Sequence, residues 1–209
     1  AAEKAGFEHF MMKEIYEQPK AIRDTLNSVV KDGVIDFTDI DITDEEIKKY
    51  SQIYIVACGS AWHVGVEAQY VIEELAQIPV RVELASEFRY RDPILNENTL
   101  MIIISQSGET ADTLAALREA KRAGCRVLSV VNVVGSTIAT ESDDVLYTWA
   151  GPEISVASTK AYSTQLAVIY LLALYIGEQL GKFTQEQLSA YIAALEKLPE
   201  QIDEMLKHK

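Results

Sequence analysis

Three short stretches carry the side chains that could do chemistry. The densest is Ser105-Gln106-Ser107-Gly108-Glu109-Thr110, with three hydroxyls, a glutamine and a glycine in six consecutive residues. Hydroxyls donate to anionic oxygens, and a glycine without Cβ lets the backbone approach a ligand closely. One hydroxyl after a strand makes a turn or caps a helix. Three of them, ahead of a helix whose N-terminal amides face the same space, suit a phosphate group. Each exposed helix end adds about 0.3–1 kcal/mol toward holding a negative group. The second stretch, Cys58-Gly59-Ser60-Ala61-Trp62-His63, is less specific taken alone. Gly59 and Ser60 serve a tight turn, Cys58 packs, and His63 in a first helical turn reads as a neutral polar group. The spacing is not G-x-G-x-x-G and no acidic residue follows a second strand, so dinucleotide binding ranks low. The third stretch is Glu153-Ile154-Ser155-Val156-Ala157-Ser158-Thr159-Lys160. Ser158 and Thr159 suit helix caps. Lys160 in a first turn opposes the helix dipole unless an anion or Glu153 lies nearby, a conflict that points to a functional role.

These stretches need elements that bring them together. Ile53-Tyr54-Ile55-Val56-Ala57 and Leu100-Met101-Ile102-Ile103-Ile104 are continuous apolar runs, as expected of strands buried on both faces. Shorter strands are expected at 80–84, 127–131 and 144–149. Helices are expected over 62–77, over 111–123 with Gly124 as C-cap, and over 158–180 closed by Gly181. Before the strands, helical spacing starts at His9, Pro19 marks a break, and a second helix covers 20–30 until Asp32-Gly33. Thr43 with Glu46, and Thr184 with Gln187, have capping-box spacing. Pro199 is expected to begin a last polar helix. Five strands alternating with helices define an α/β protein with a parallel sheet covered on both faces. In such sheets ligands bind beyond the carboxyl ends of the strands, where the first two stretches fall.

Bulk properties narrow the partners. The chain has 209 residues, 48% of them apolar, and a net charge of −13. That field repels nucleic acid and anionic lipid, so neither is an expected partner. It also repels a sugar phosphate, which must therefore be attracted locally by amides and hydroxyls. The two cysteines, Cys58 and Cys125, sit beside apolar runs and read as free thiols. No run approaches the ~18 apolar residues of a membrane span. With no secretory or transit pattern, a cytoplasmic location is expected. No metal or cofactor motif is present.

At the hydroxyl-rich loops the chain resembles the sugar-isomerase (SIS) family, whose phosphosugar loop is similar to residues 105–110. His9-Phe10-Met11-Met12-Lys13-Glu14-Ile15-Tyr16-Glu17-Gln18-Pro19, the segment 150–161 and Thr164-Gln165-Leu166 narrow the resemblance to the isomerase region of hexosamine-forming transaminases. The resemblance implies a three-layer α-β-α, flavodoxin-like SIS domain over 51–182. It further implies an N-terminal helical segment over 1–50 that packs on the sheet, and C-terminal helices over 183–209 leading to a second SIS subdomain. Phosphate contacts fall on Ser105, Gln106, Ser107 and Thr110, and sugar contacts on Ser60, Val156 (through its backbone) and Ser158. The family loop usually reads Cys-Gly-Thr-Ser, so Ala61 departs from it and keeps only its backbone N–H for the phosphate. One lost charge-assisted hydrogen bond costs about 1.5–3 kcal/mol. The implied ligands are fructose-6-phosphate and glucosamine-6-phosphate, with no cofactor and a homodimer as the expected assembly. The family's acid–base groups lie in the second subdomain, so no catalytic residue is expected here and the chain alone should not turn over. The competing readings are a phosphosugar-sensing regulator, which should carry a helix-turn-helix and a basic patch, and a complete small isomerase.

Overall fold

The computed structural model describes residues 3–38 and 40–208. Helix α1 (Phe10–Val29) leads into a two-stranded hairpin, β1 (Val30–Lys31) and β2 (Val34–Ile35), turning on Asp32 and Gly33, both at positive φ. Asp-Gly is the dipeptide such tight turns favour, so this hairpin was readable where only a helix end was expected. The short helix α2 (Asp44–Ile47) has the anticipated capping box, Thr43 and Glu46 bonding reciprocally. The alternating core follows: β3 (Gln52–Ala57), α3 (Gly59–Ala76), β4 (Val80–Leu84), α4 (Ala85–Phe88), β5 (Thr99–Ser105), α5 (Ala111–Arg122), β6 (Arg126–Val131), α6 (Thr137–Glu141) and β7 (Asp144–Tyr147). Two long helices close the chain, α7 (Lys160–Gln179) and α8 (Gln185–Lys207).

Five strands form one parallel sheet in the order β4-β3-β5-β6-β7, the flavodoxin-like arrangement. Strand side chains alternate between its faces. Ile53, Ile55, Leu100, Ile102 and Ile104 pack on the side covered by α1, α3, α7 and α8. Tyr54, Val56, Met101 and Ile103 pack on the other side, against α4, α5 and α6. This is the three-layer α-β-α architecture, with the N-terminal helix inside a layer.

Two proline expectations are corrected. Pro19 lies within α1, which runs unbroken from Phe10 to Val29. A proline removes the amide that would bond the carbonyl four residues back. Here the Gln18 side-chain amide donates to that carbonyl, Ile15 O, at 3.2 Å. Pro199 likewise lies inside α8. It belongs to a buried stripe, Leu188, Ile192, Leu195 and Pro199, whose packing on the core carries the helix through. The start of α3 is three residues earlier than expected, which brings Ser60 and Ala61 into its first turn.

Candidate functional site

Strand order decides where a cleft forms. From β3 the chain crosses to β4 on one side, then returns to β5 on the other, so β3 and β5 flank the point where connections diverge. The loop after β3 enters α3 with Cys58 as N-cap, and the Cys58 side chain makes no capping bond. Those amides have no intrahelical partners by position. Ser60 is exposed there and Ala61 is buried. The Cys58 thiol is occupied, its Sγ accepting from Thr113 Oγ1 at 3.6 Å.

The loop after β5 is fixed by its own hydroxyls. Ser105 is buried; its Oγ accepts the Gly108 N–H at 3.1 Å and lies 3.2 Å from Thr110 Oγ1. Ser107 Oγ accepts the Glu109 N–H at 3.2 Å. Gly108 has φ +67°, and a Cβ there would sit 2.0 Å from Ser136 Oγ, so only glycine fits. The β6–α6 connection braces the loop from outside. Gly108 O accepts from Ile138 N at 2.9 Å and Gln106 O from Asn132 N at 3.2 Å. The Glu109 carboxylate accepts from Thr137 N at 2.7 Å and Thr137 Oγ1 at 2.8 Å. The backbone and then the side-chain hydrogen bond of Thr137 hold the Glu109 carboxyl below its ordinary range.

The third wall is the irregular segment between β7 and α7. Glu153 caps α7, accepting from Thr159 N at 2.7 Å, Thr159 Oγ1 at 3.2 Å and Ala161 N at 3.3 Å. Its second oxygen accepts from Ser158 Oγ at 3.1 Å. Thr159 occupies the N-cap position, as its type suggested, but the Glu153 carboxylate and not the Thr159 side chain makes the capping bonds. Lys160 is buried and pairs with Glu17 of α1 at 2.7 Å. The apparent conflict at Lys160 is thus resolved by a structural ion pair, and the functional role expected for it is not supported. Burial pushes the Glu17 carboxyl up, but the Lys160 hydrogen bond and charge outweigh it and the net shift is downward.

These walls enclose a cleft of about 240 Å³. Ser60, Ala61, Ser105, Gln106, Ser107, Thr110, Val156 and Ser158, all eight residues expected at a site, line it. Glu153, Ser155 and Gln165 line it too and were not expected. Glu153 was legible only as a charge near Lys160, and Gln165 lies in the second turn of α7, just before its long apolar run. Among the described residues no lysine or arginine lines the cleft. Its means of holding an anion are hydroxyls and the N-terminal amides of α3 and α5. Larger clefts exist, one of about 650 Å³ between α3, α7 and α8, but its lining is dominated by tyrosine and aliphatic side chains. It lacks the convergent donors of the smaller cleft.

A doubly wound parallel sheet with a hydroxyl-lined cleft at its switch point defines an α/β protein of the class whose ligand sites lie at the strand tips. The SIS-domain family matches residues 46–175, and the chain belongs to that family. Over its full length the chain is 60% identical to a glutamine–fructose-6-phosphate aminotransferase (isomerizing) of Clostridium acetobutylicum, covering 34% of that protein. The corresponding protein of Methanosarcina mazei is 49% identical, again over 100% of this chain and 34% of its own length. The chain thus spans about a third of the length of these relatives. Among solved structures, the C-terminal domain of glucosamine–fructose-6-phosphate aminotransferase from Francisella tularensis superposes with a TM-score of 0.91 at 41% identity, covering 95% of this chain and 56% of that one.

Proposed function

We propose that the chain is the hexose-phosphate-binding half of the isomerase region of a glutamine–fructose-6-phosphate aminotransferase, acting in hexosamine synthesis on the way to UDP-N-acetylglucosamine. The phosphate of fructose-6-phosphate or glucosamine-6-phosphate rests on Gln106, Ser107 and Thr110, with Ser105 shaping the loop and the Ala61 amide closing it from α3. Ser60, Ser158 and the Val156 backbone meet the sugar hydroxyls. In the whole enzyme, ammonia derived from glutamine replaces the C2 carbonyl oxygen and the ketose becomes an aldose. The chain itself supplies binding and orientation. Residues 1–50 pack on the sheet domain of 51–182, and 183–209 lead to a second SIS subdomain in a cytoplasmic homodimer.

The observation that carries the reading is the convergence of eight expected residues, drawn from three separated stretches, on one cleft at the switch point. The similarity to aminotransferases over the full chain supports the choice of ligand. Saturation to about 100 times Kd stabilises a protein by about 2.7 kcal/mol, roughly 5–10 °C at this chain length. Fructose-6-phosphate is therefore expected to raise the melting temperature by that amount, while fructose leaves it unchanged. The double variant Ser107→Ala, Thr110→Ala should lose most of the shift. An undiminished shift in that variant sinks the assignment.

A further inference from the structure

We propose that Glu14, on the N-terminal helix and outside the segment matched by the SIS family, is a positioning residue for the sugar-facing wall of the cleft. The inference rests on the reading of the cleft as a hexose-phosphate site. Residues 148–159, between β7 and α7, have no helical or strand ladder to hold them. Val156 and Ser158, assigned to the sugar, lie in this stretch. Asn132 anchors its beginning, accepting from Ala150 N at 2.8 Å and donating to Gly151 O at 2.8 Å. Glu153 anchors its end at the start of α7.

Between these anchors, among the described residues, the backbone is held by one side chain from another part of the chain. Glu14 Oε1 accepts from Ile154 N at 2.6 Å and from Ser155 N at 3.3 Å, and Oε2 also lies 3.3 Å from Ser155 N. Glu14 is only 2% exposed. A buried carboxylate needs donors to offset lost hydration, and two consecutive amides aimed at it supply them. The same bonds fix the peptide planes just before Val156, which lines the cleft. Around this contact, Lys160 bonds Glu17 at 2.7 Å and Lys13 lies 3.4 Å from Glu17, so α1 is fastened to the start of α7 beside it. The phosphate loop is braced by Thr137, Ile138 and the Asn132 N–H, shares with the sugar-facing wall the one residue Asn132, and makes no bond to Glu14 among the described residues.

This division yields a distinguishing measurement. Replacing Glu14 should loosen the sugar-facing wall and leave the phosphate loop intact. Titration calorimetry on the full chain, with fructose-6-phosphate and with inorganic phosphate as separate probes, reads both walls. In Glu14→Gln, which keeps size but turns a donor toward an amide, affinity for fructose-6-phosphate is expected to fall about tenfold, with phosphate within about twofold of wild type. Equal losses for both probes, or none for either, overturn the inference. Amide NMR supplies a second readout that needs no ligand and serves if Glu14→Ala does not fold. Glu14→Gln should shift and deprotect the amides of 154–158 while those of 105–110 stay put. Unchanged 154–158 amides defeat the positioning role even if binding is intact. Failure of the wild-type chain to bind either probe falls instead on the ligand reading.

Discussion

Gly108 offers the sharpest quantitative check on the geometry of the cleft. An alanine there meets two separate penalties. The first is backbone: at φ +67° an L-residue sits in the left-handed region, at a cost of roughly 1–2 kcal/mol. The second is overlap: the new Cβ would lie 2.0 Å from Ser136 Oγ and 2.5 Å from Ser136 Cβ. Relief demands movement of a loop tied by Ile138 N to Gly108 O at 2.9 Å, and such overpacking costs about 1–3 kcal/mol. Gly108→Ala should therefore destabilise the chain by about 2–5 kcal/mol. Ser136→Gly removes both clashing atoms, and with them a buried hydroxyl that has no partner among the described residues. In that background only the backbone penalty should remain, giving a coupling energy of about 1–3 kcal/mol in a double-mutant cycle. Urea unfolding followed by far-UV circular dichroism measures all four members of the cycle. A coupling below about 0.5 kcal/mol would refute the claim that the loop is pressed against Ser136.

Two further outcomes test other parts of the fold. Asp144, almost fully buried, bonds Arg126 through both oxygens at 2.6 and 3.0 Å and accepts from Asp41 N at 2.7 Å. Asp144→Asn should cost about 3 kcal/mol in urea unfolding, and a loss under about 1 kcal/mol would show the pair to be dispensable. Burial pushes the Cys125 thiol up to about 11, so its thiolate is scarce at neutral pH. Its alkylation by iodoacetamide should accelerate about tenfold per pH unit from pH 8 toward that value. A rate that levels off near pH 8.5 would contradict the burial argument.

The local parts of this structure were legible in the sequence. Strands β3 and β5 stood out because burial on both faces demands unbroken apolar runs. The capping boxes at Thr43 and Thr184 were legible because their partners lie three residues away. The hydroxyl-rich loop was legible for the same reason, since its internal bonds join Ser105 to Gly108 and Ser107 to Glu109. Pro19 misled because the local rule ignores a neighbouring amide able to take over the orphaned carbonyl. Lys160 misled because its partner, Glu17, is 143 residues away. Glu14 was invisible as a site element for that reason too: no pattern within a window of ten residues connects it to Ile154. What the chain does not encode locally, it encodes in pairs far apart along its length.

Those distant pairs set an order on assembly. Helix α1 finds many of its partners late in the chain: Glu14 joins Ile154 across 140 residues, and the Thr25 hydroxyl donates to Thr148 O across 123. At roughly 5–20 residues per second, a ribosome needs on the order of 7–30 s to deliver the second member of such a pair. Throughout that interval the apolar stripe of α1, including Ala21, Ile22 and Leu26, has no α7 to cover it. Helix α1 is thus made well before its partners, and its apolar flank stays uncovered until α7 emerges. Holding chaperones would find their target there, and a pause in translation before residue 148 would lengthen the exposure.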